Sequence, residues 1–259
     1  MSIRSRRSAI AQTALFLLIA SLFSTCYANE AKLKEIQKTL QDLVSMNAAP
    51  ELRTHDFNAL LRLGPTQVPL FAVDFDWADQ KRVRAAVASL DKIATSVEWD
   101  QLLEHINEER YCITIVKDEY HDPRNYSVGA LCDSVARHYL SGPFLDNLGF
   151  DDRDRPIRIS YKQDDMRDLR EWRKNRKQLR LDQLQLEIGE RILSAVPAIK
   201  FVSEAERDKL SLEIAGKIEM IKRTGLPIMT PFWNESLSIY TSAQAATIRK
   251  AMEVKKGSP

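Results

Sequence analysis

Leu181-Asp182-Gln183-Leu184-Gln185-Leu186-Glu187-Ile188-Gly189-Glu190-Arg191-Ile192-Leu193-Ser194-Ala195-Val196 carries apolar side chains at 181, 184, 188 and 192, and Val196 continues the row. Steps of three and four residues place them on one face of a helix with 3.6 residues per turn. Pro197 closes the run, because a proline has no N–H to give to the preceding turn. The same pattern recurs downstream. Ser203 and Glu206 have capping-box spacing, Leu210, Ile214, Ile218 and Ile221 form the next apolar face, and Gly225 stops it. Leu226 to Trp233 is a proline-broken apolar stretch in which Pro227, Pro231, Phe232 and Trp233 either line a groove or, as expected, pack a core end, and a last helix is expected from about Ser242 to Val254.

Upstream of the quoted stretch, Asp164 to Lys174 reads as a short helix anchored by Leu169 and Trp172, after a loop over Asn147 to Tyr161. Ser127 to Leu140 reads as a helix with Val128, Leu131, Cys132, Val135 and Tyr139 inward, ended by Gly142-Pro143. Asp76 caps a helix expected to reach Thr95, and Ser96 starts another over Trp99, Leu102, Leu103 and Ile106. Asn29 to Asn47 is helical by the spacing of Leu33, Ile36, Leu40, Leu43 and Val44, and His55 to Leu63 is a further short apolar run before Gly64-Pro65. Only Tyr111 to Val116, rich in β-branched residues, reads as extended. The expectation is an all-α protein of eight or nine helices, in an irregular or HEAT-like stack, with at most one short hairpin-like extended segment.

The chain has 259 residues, 44% of them hydrophobic, with 8 Gly and 3 Cys. That composition excludes wholesale disorder, collagen-like repeats and a disulfide-framework miniprotein. Arg4, Arg6 and Arg7 precede an apolar stretch from Ala9 to Phe23, and Cys26-Tyr27-Ala28 offers small residues for cleavage before Asn29. This is the layout of a secretory signal peptide over residues 1–28, leaving a single helical domain over 29–259 in the periplasm or cell envelope. Phe23-Ser24-Thr25-Cys26 resembles a lipobox in which Cys26 would be lipidated, but Phe23 and Thr25 depart from its usual Leu and Gly or Ala. No later stretch reaches the ~20 apolar residues a membrane span needs. Export to an oxidising compartment leaves Cys112 and Cys132, which are expected to pair as a disulfide. The ligand spacing of Cys112, His121, Cys132 and His138 does not suit zinc, and no other metal or cofactor is indicated.

The formal charge of +2 becomes −1 once the three signal arginines are gone, and it is uneven. Residues 29–152 carry −8, residues 153–180 carry +6 and residues 181–259 carry +1. The cationic segment comprises Arg153, Arg155, Arg158, Lys162, Arg167, Arg170, Arg173, Lys174, Arg176, Lys177 and Arg180. It is either a patch for an anionic polymer or lipid headgroups, or a solvated face laced with i,i+4 ion pairs. Nucleic acid is not an expected partner, since only Tyr161 and Trp172 interleave the bases. There is no nucleophile elbow, P-loop, zinc-protease helix or dinucleotide fingerprint. The candidate catalytic group is the turn holding Asp118, Glu119, His121 and Asp122, where a carboxylate could orient the imidazole; no nucleophile stands beside it.

Tyr126-Ser127-Val128-Gly129-Ala130-Leu131-Cys132-Asp133 resembles segments of exported bacterial α-helical proteins, some with HEAT-like stacking. Trp172-Arg173-Lys174-Asn175-Arg176-Lys177-Gln178-Leu179, followed by Leu184-Gln185, is similar to a tryptophan-to-Leu-Gln pattern in the same kind of protein. The resemblance implies a helical scaffold; it implies no particular activity and carries over no catalytic residue. The leading expectation is a non-catalytic protein-binding module of the envelope, of inhibitor, immunity or scaffold type. A hydrolase using the His121 turn and an anionic-polymer or lipid binder using Arg153 to Arg180 are the alternatives.

Overall fold

The computed structural model describes residues 30–50, 76–115, 124–145, 166–199, 201 and 203–232. Helix α1 covers residues 30–42. It is followed by α2 (Trp77–Ser89), α3 (Ser96–His105), strands β1 (Tyr111–Ile115) and β2 (Arg124–Ser127), and then α4 (Val128–Leu145). The remaining helices are α5 (Leu169–Lys174), α6 (Leu181–Ala195) and α7 (Glu204–Thr224). The described residues are thus mostly helical: seven helices and one two-stranded ribbon. The expected helices over His55–Leu63 and Ser242–Val254, and the signal segment, lie outside the described residues.

Helix α4 is the hub, touching α3, α6, α7 and both strands. Its buried row of Val128, Leu131, Cys132, Val135 and Tyr139 is the one expected from the sequence. Trp99 of α3 donates its indole N–H to the Ala136 carbonyl at 3.0 Å, and the Tyr139 hydroxyl donates to the Leu90 carbonyl. On the other side α6 packs so closely that a Cβ on Gly189 would lie 2.6 Å from the Phe144 ring. At the start of α4, a Cβ on Gly129 would lie 2.5 Å from the Ile106 carbonyl oxygen, so the turn after α3 sits directly on the helix.

The expected Asp164–Lys174 helix begins only at Leu169, where Asp168 caps it, and four further boundaries differ from the sequence expectation, each for a non-local or geometric reason. Helix α1 ends at 42, not Asn47, because Arg82 of α2 donates to the carbonyls of Asp42 and Val44 at 2.6 Å each and turns the chain there. Helix α2 stops at Ser89, and Leu90–Lys92 is a 3₁₀ turn whose Leu90 carbonyl is taken by Tyr139. The cap of α3 is Thr95, one residue before Ser96, and it forms a full capping box with Glu98.

The largest departure is α4, which continues through Gly142-Pro143 to Leu145. Pro143 has no N–H for the Tyr139 carbonyl one turn earlier, a loss that ordinarily breaks a helix. Here Gln185 of α6 supplies the missing donor, its Nε2 lying 2.6 Å from the Tyr139 oxygen.

The antiparallel ribbon pairs Tyr111 with Ser127 and Ile113 with Tyr126, so Cys112 is the extra residue of a β-bulge. The bulge carbonyl accepts from Gln80 Nε2 at 3.2 Å. The expected Cys112–Cys132 disulfide is not formed: both are buried free cysteines, one fixed in the bulge and the other on the inner face of α4. No helix of the described residues is long and apolar enough to cross a membrane.

Candidate functional site

The cationic segment is described from Met166 onward, and its arginines do not form one exposed patch. Asp168 caps α5, accepting from the backbone N–H of Arg170 and Glu171 at 2.9 and 3.1 Å. Those bonds, Glu171 first, hold the Asp168 carboxyl below its ordinary range. One turn later Arg173 points inward. Its guanidinium forks onto both Asp100 oxygens at 2.7 and 2.9 Å, donates to the carbonyls of Arg176 and Leu179, and lies 6.0 Å from the Trp99 ring.

Arg176 stacks over Trp172 at 4.5 Å and forks onto Glu187 of α6 at 2.6 and 2.7 Å. Arg191 reaches the same carboxylate at 2.6 Å. Burial alone would raise the Glu187 carboxyl, but the two guanidiniums outweigh it and hold the group below its ordinary range. Arg180 pairs with Asp182 at 2.7 Å. Arg173, Arg176 and Arg180 are thus engaged within the fold, tying the segment to α3 and α6.

What remains faces an open groove of about 640 Å³ lined by Asp100, Leu103, Glu104, Arg170, Arg173, Lys174 and Lys177. Arg170 donates to Asn107, with the amide oxygen turned toward it, at 2.6 Å, and Lys174 pairs with Glu171 at 2.8 Å. Among the described residues Lys177 has no carboxylate partner. Asp100 and Arg173 are closed on each other, Lys174 on Glu171 and Arg170 on Asn107, which leaves Glu104 and Lys177 beside Leu103 to hold a group of mixed charge by hydrogen bonding. The lining includes no serine, cysteine or histidine to act as nucleophile or proton carrier. Of the expected patch, Arg153, Arg155, Arg158 and Lys162 lie outside the described residues, as do Asp118, Glu119, His121 and Asp122 and the lipobox Cys26. Among the described residues no three His, Cys, Asp or Glu side chains gather as a metal site.

A second set of converging contacts escapes sequence reasoning. Gln185, His138 and Asp91, from α6, α4 and the turn after α2, converge on residues 226–232. No signal in the sequence marks it, because local rules end the helix at Gly142-Pro143 and hide the free carbonyl at 139 that the buried Gln185 of α6 takes.

These features define a mostly helical protein whose hub helix carries a proline step. No known protein family, no curated protein and no solved structure matches the chain. The resemblance to exported helical proteins therefore stands on the two quoted segments alone.

Proposed function

We propose that this chain is an exported protein of the periplasm or cell envelope, freed of residues 1–28, that binds another protein as an inhibitor, immunity factor or scaffold without catalysis of its own. Its full complement is eight or nine helices, stacked irregularly or in HEAT-like fashion.

The observation that supports binding is the outer face of α7. Leu210, Ile214, Ile218 and Ile221 bury the inner face, yet Leu212 is 74% and Met220 48% exposed. Between them, at the helical i+4 position, is Gly216, where a Cβ would have no neighbour within 4 Å. Beside it Lys217 pairs with Glu213 at 2.6 Å and Lys222 with Glu190 at 2.9 Å. A surface helix ordinarily turns its second face to water with polar side chains, so two bulky apolar side chains on either side of a bare glycine are suited to cover by a partner.

The test is crosslinked capture from envelope extracts at mild salt, with the wild type beside a Leu212→Glu, Met220→Glu double variant. A partner held by the wild type and lost from the variant, at unchanged melting temperature, is the expected outcome. Capture unaffected by the double change, or no partner at all, overturns the reading.

A further inference from the structure

Helix α7 carries Gly216 in the middle of its exposed side. A glycine inside a helix is less stable than an alanine, because its backbone loses more freedom on ordering. Packing within the chain does not require one here, since a Cβ at Gly216 would have no neighbour within 4 Å. Leu212 and Met220, both exposed, stand four residues to either side of it. Residues at i, i+4 and i+8 form one ridge of a helix surface, and such ridges interlock when two helices cross at about −50°. With glycine at the centre of the ridge, a second helix can come nearer than the ~8–10 Å that larger side chains set.

The exposed charges of α7 are arranged about Gly216 as a two-fold axis would have them. Asp208 lies eight residues before the glycine and Arg223 seven after it, and both are on the same flank of the ridge. An axis through Gly216, perpendicular to the helix and lying in the plane of contact, reverses the helix direction and keeps the flanks. Asp208 of one copy then stands level with Arg223 of the other, and Leu212 falls beside Met220. Glu213 and Lys217, on the opposite flank and paired at 2.6 Å within one helix, come level with Lys217 and Glu213 of the second copy. Each end of the crossing gathers Asp208 and Lys209 of one copy with Glu219 and Arg223 of the other, two acids with two bases. A parallel pairing would instead set Lys209 on Lys209 and Arg223 on Arg223, with the two helix dipoles aligned.

We propose that the outer face of α7 pairs with α7 of a second copy of this chain, antiparallel and crossing at Gly216. The inference rests on the reading that this face is covered by a partner, and it names a second copy as the cover; an envelope protein that binds there has to displace it. One helix from each copy makes a small interface, so the dimer is reversible and its population follows concentration.

Sedimentation equilibrium of the full chain over a range of concentrations is the test, and a reversible monomer–dimer equilibrium is expected. Gly216→Gln suits a helix, so it should leave the melting temperature of the dilute chain unchanged or raise it, while weakening the dimer at least about tenfold. Asp208→Lys and Arg223→Glu should each weaken the dimer about tenfold, because a two-fold interface meets each change twice. Combined in one chain, the two reversals should restore it. The positions are ~22 Å apart along their own helix, so the rescue can come only from the other copy. Circular dichroism of the dilute variants shows that each is folded. A chain that stays monomeric up to about 1 mM, or reversals that do not rescue each other, overturns the proposal. A monomer that captures an envelope protein through Leu212 and Met220 also overturns it, and leaves the reading of a covered face standing with a foreign partner. A dimer that captures no other protein has the opposite meaning: self-pairing stands, and binding of another protein falls.

Discussion

Cys112 and Cys132 both sit at zero exposure in one core. Burial first, and then the neighbouring Cys132, push the Cys112 thiol above its ordinary range; burial chiefly pushes Cys132 up to about 12. Both thiols therefore stay protonated at pH 8, and alkylation by iodoacetamide should be slower in the native chain by on the order of a thousandfold than in urea. Peptide mapping without reductant should find both sites modified after unfolding. Recovery of the two peptides joined, or fast native labelling, contradicts the structure. The sequence placed both cysteines correctly, one in an extended segment and one on an inward helix face. The bulge that gives Cys112 its own anchor was not legible, since it depends on a register with β2. The same limit applies to the cationic run: Arg173 and Lys174 are adjacent in sequence, but only the structure shows Arg173 facing Asp100 and Lys174 facing water.

At the scale of elements, the junction of the ribbon with α4 is closely packed against backbone. The Gly129 N–H donates to the Glu108 carbonyl at 2.8 Å, and its missing side chain lets the Ile106 carbonyl approach. Gly129→Ala would drive a methyl into backbone atoms, which cannot step aside as a side chain can. A loss of about 1–3 kcal/mol is expected from this overpacking, against the usual small gain of alanine over glycine in a helix. Chemical denaturation measures it, and a neutral or stabilising result would show that the turn after α3 is looser than drawn. The elements themselves were largely legible, because apolar steps of three and four residues survive whatever packs against them. Their ends were not. The carbonyls ending α1 are taken by Arg82, and the carbonyl freed by Pro143 by Gln185, both from distant sequence. Local rules stop a helix at Gly142-Pro143 because they cannot see that donor. Strand β2 was hidden for a related reason: Arg124 and Asn125 are turn formers until Tyr111–Ile115 pairs with them.

For the whole molecule, the cationic segment works as a tie between helices. Arg173 binds it to α3 through Asp100, and Arg176 binds it to α6 through Glu187, which also holds Arg191 on its own helix. Glu187 is depressed below its ordinary value of 4.5, so it binds a proton less readily when folded than when unfolded. Its contribution is therefore fully present above pH 4.5 and is lost as pH falls through the lower folded value. Glu108, held to about 2 by the Arg110 fork, shifts in the same direction at the surface just beyond α3. Glu187→Gln keeps the shape of the side chain and removes the charge. It should lower the melting temperature at pH 7 by about 2–4 °C, the shift that ~1 kcal/mol gives in a domain of this size. The difference from wild type should then close as pH drops below 4.5, because the wild-type carboxylate is being neutralised as well. A gap that stays constant from pH 7 to pH 3 would mean that Glu187 acts through packing alone, and that the tie between α5 and α6 does not depend on the charge that Arg176 meets there.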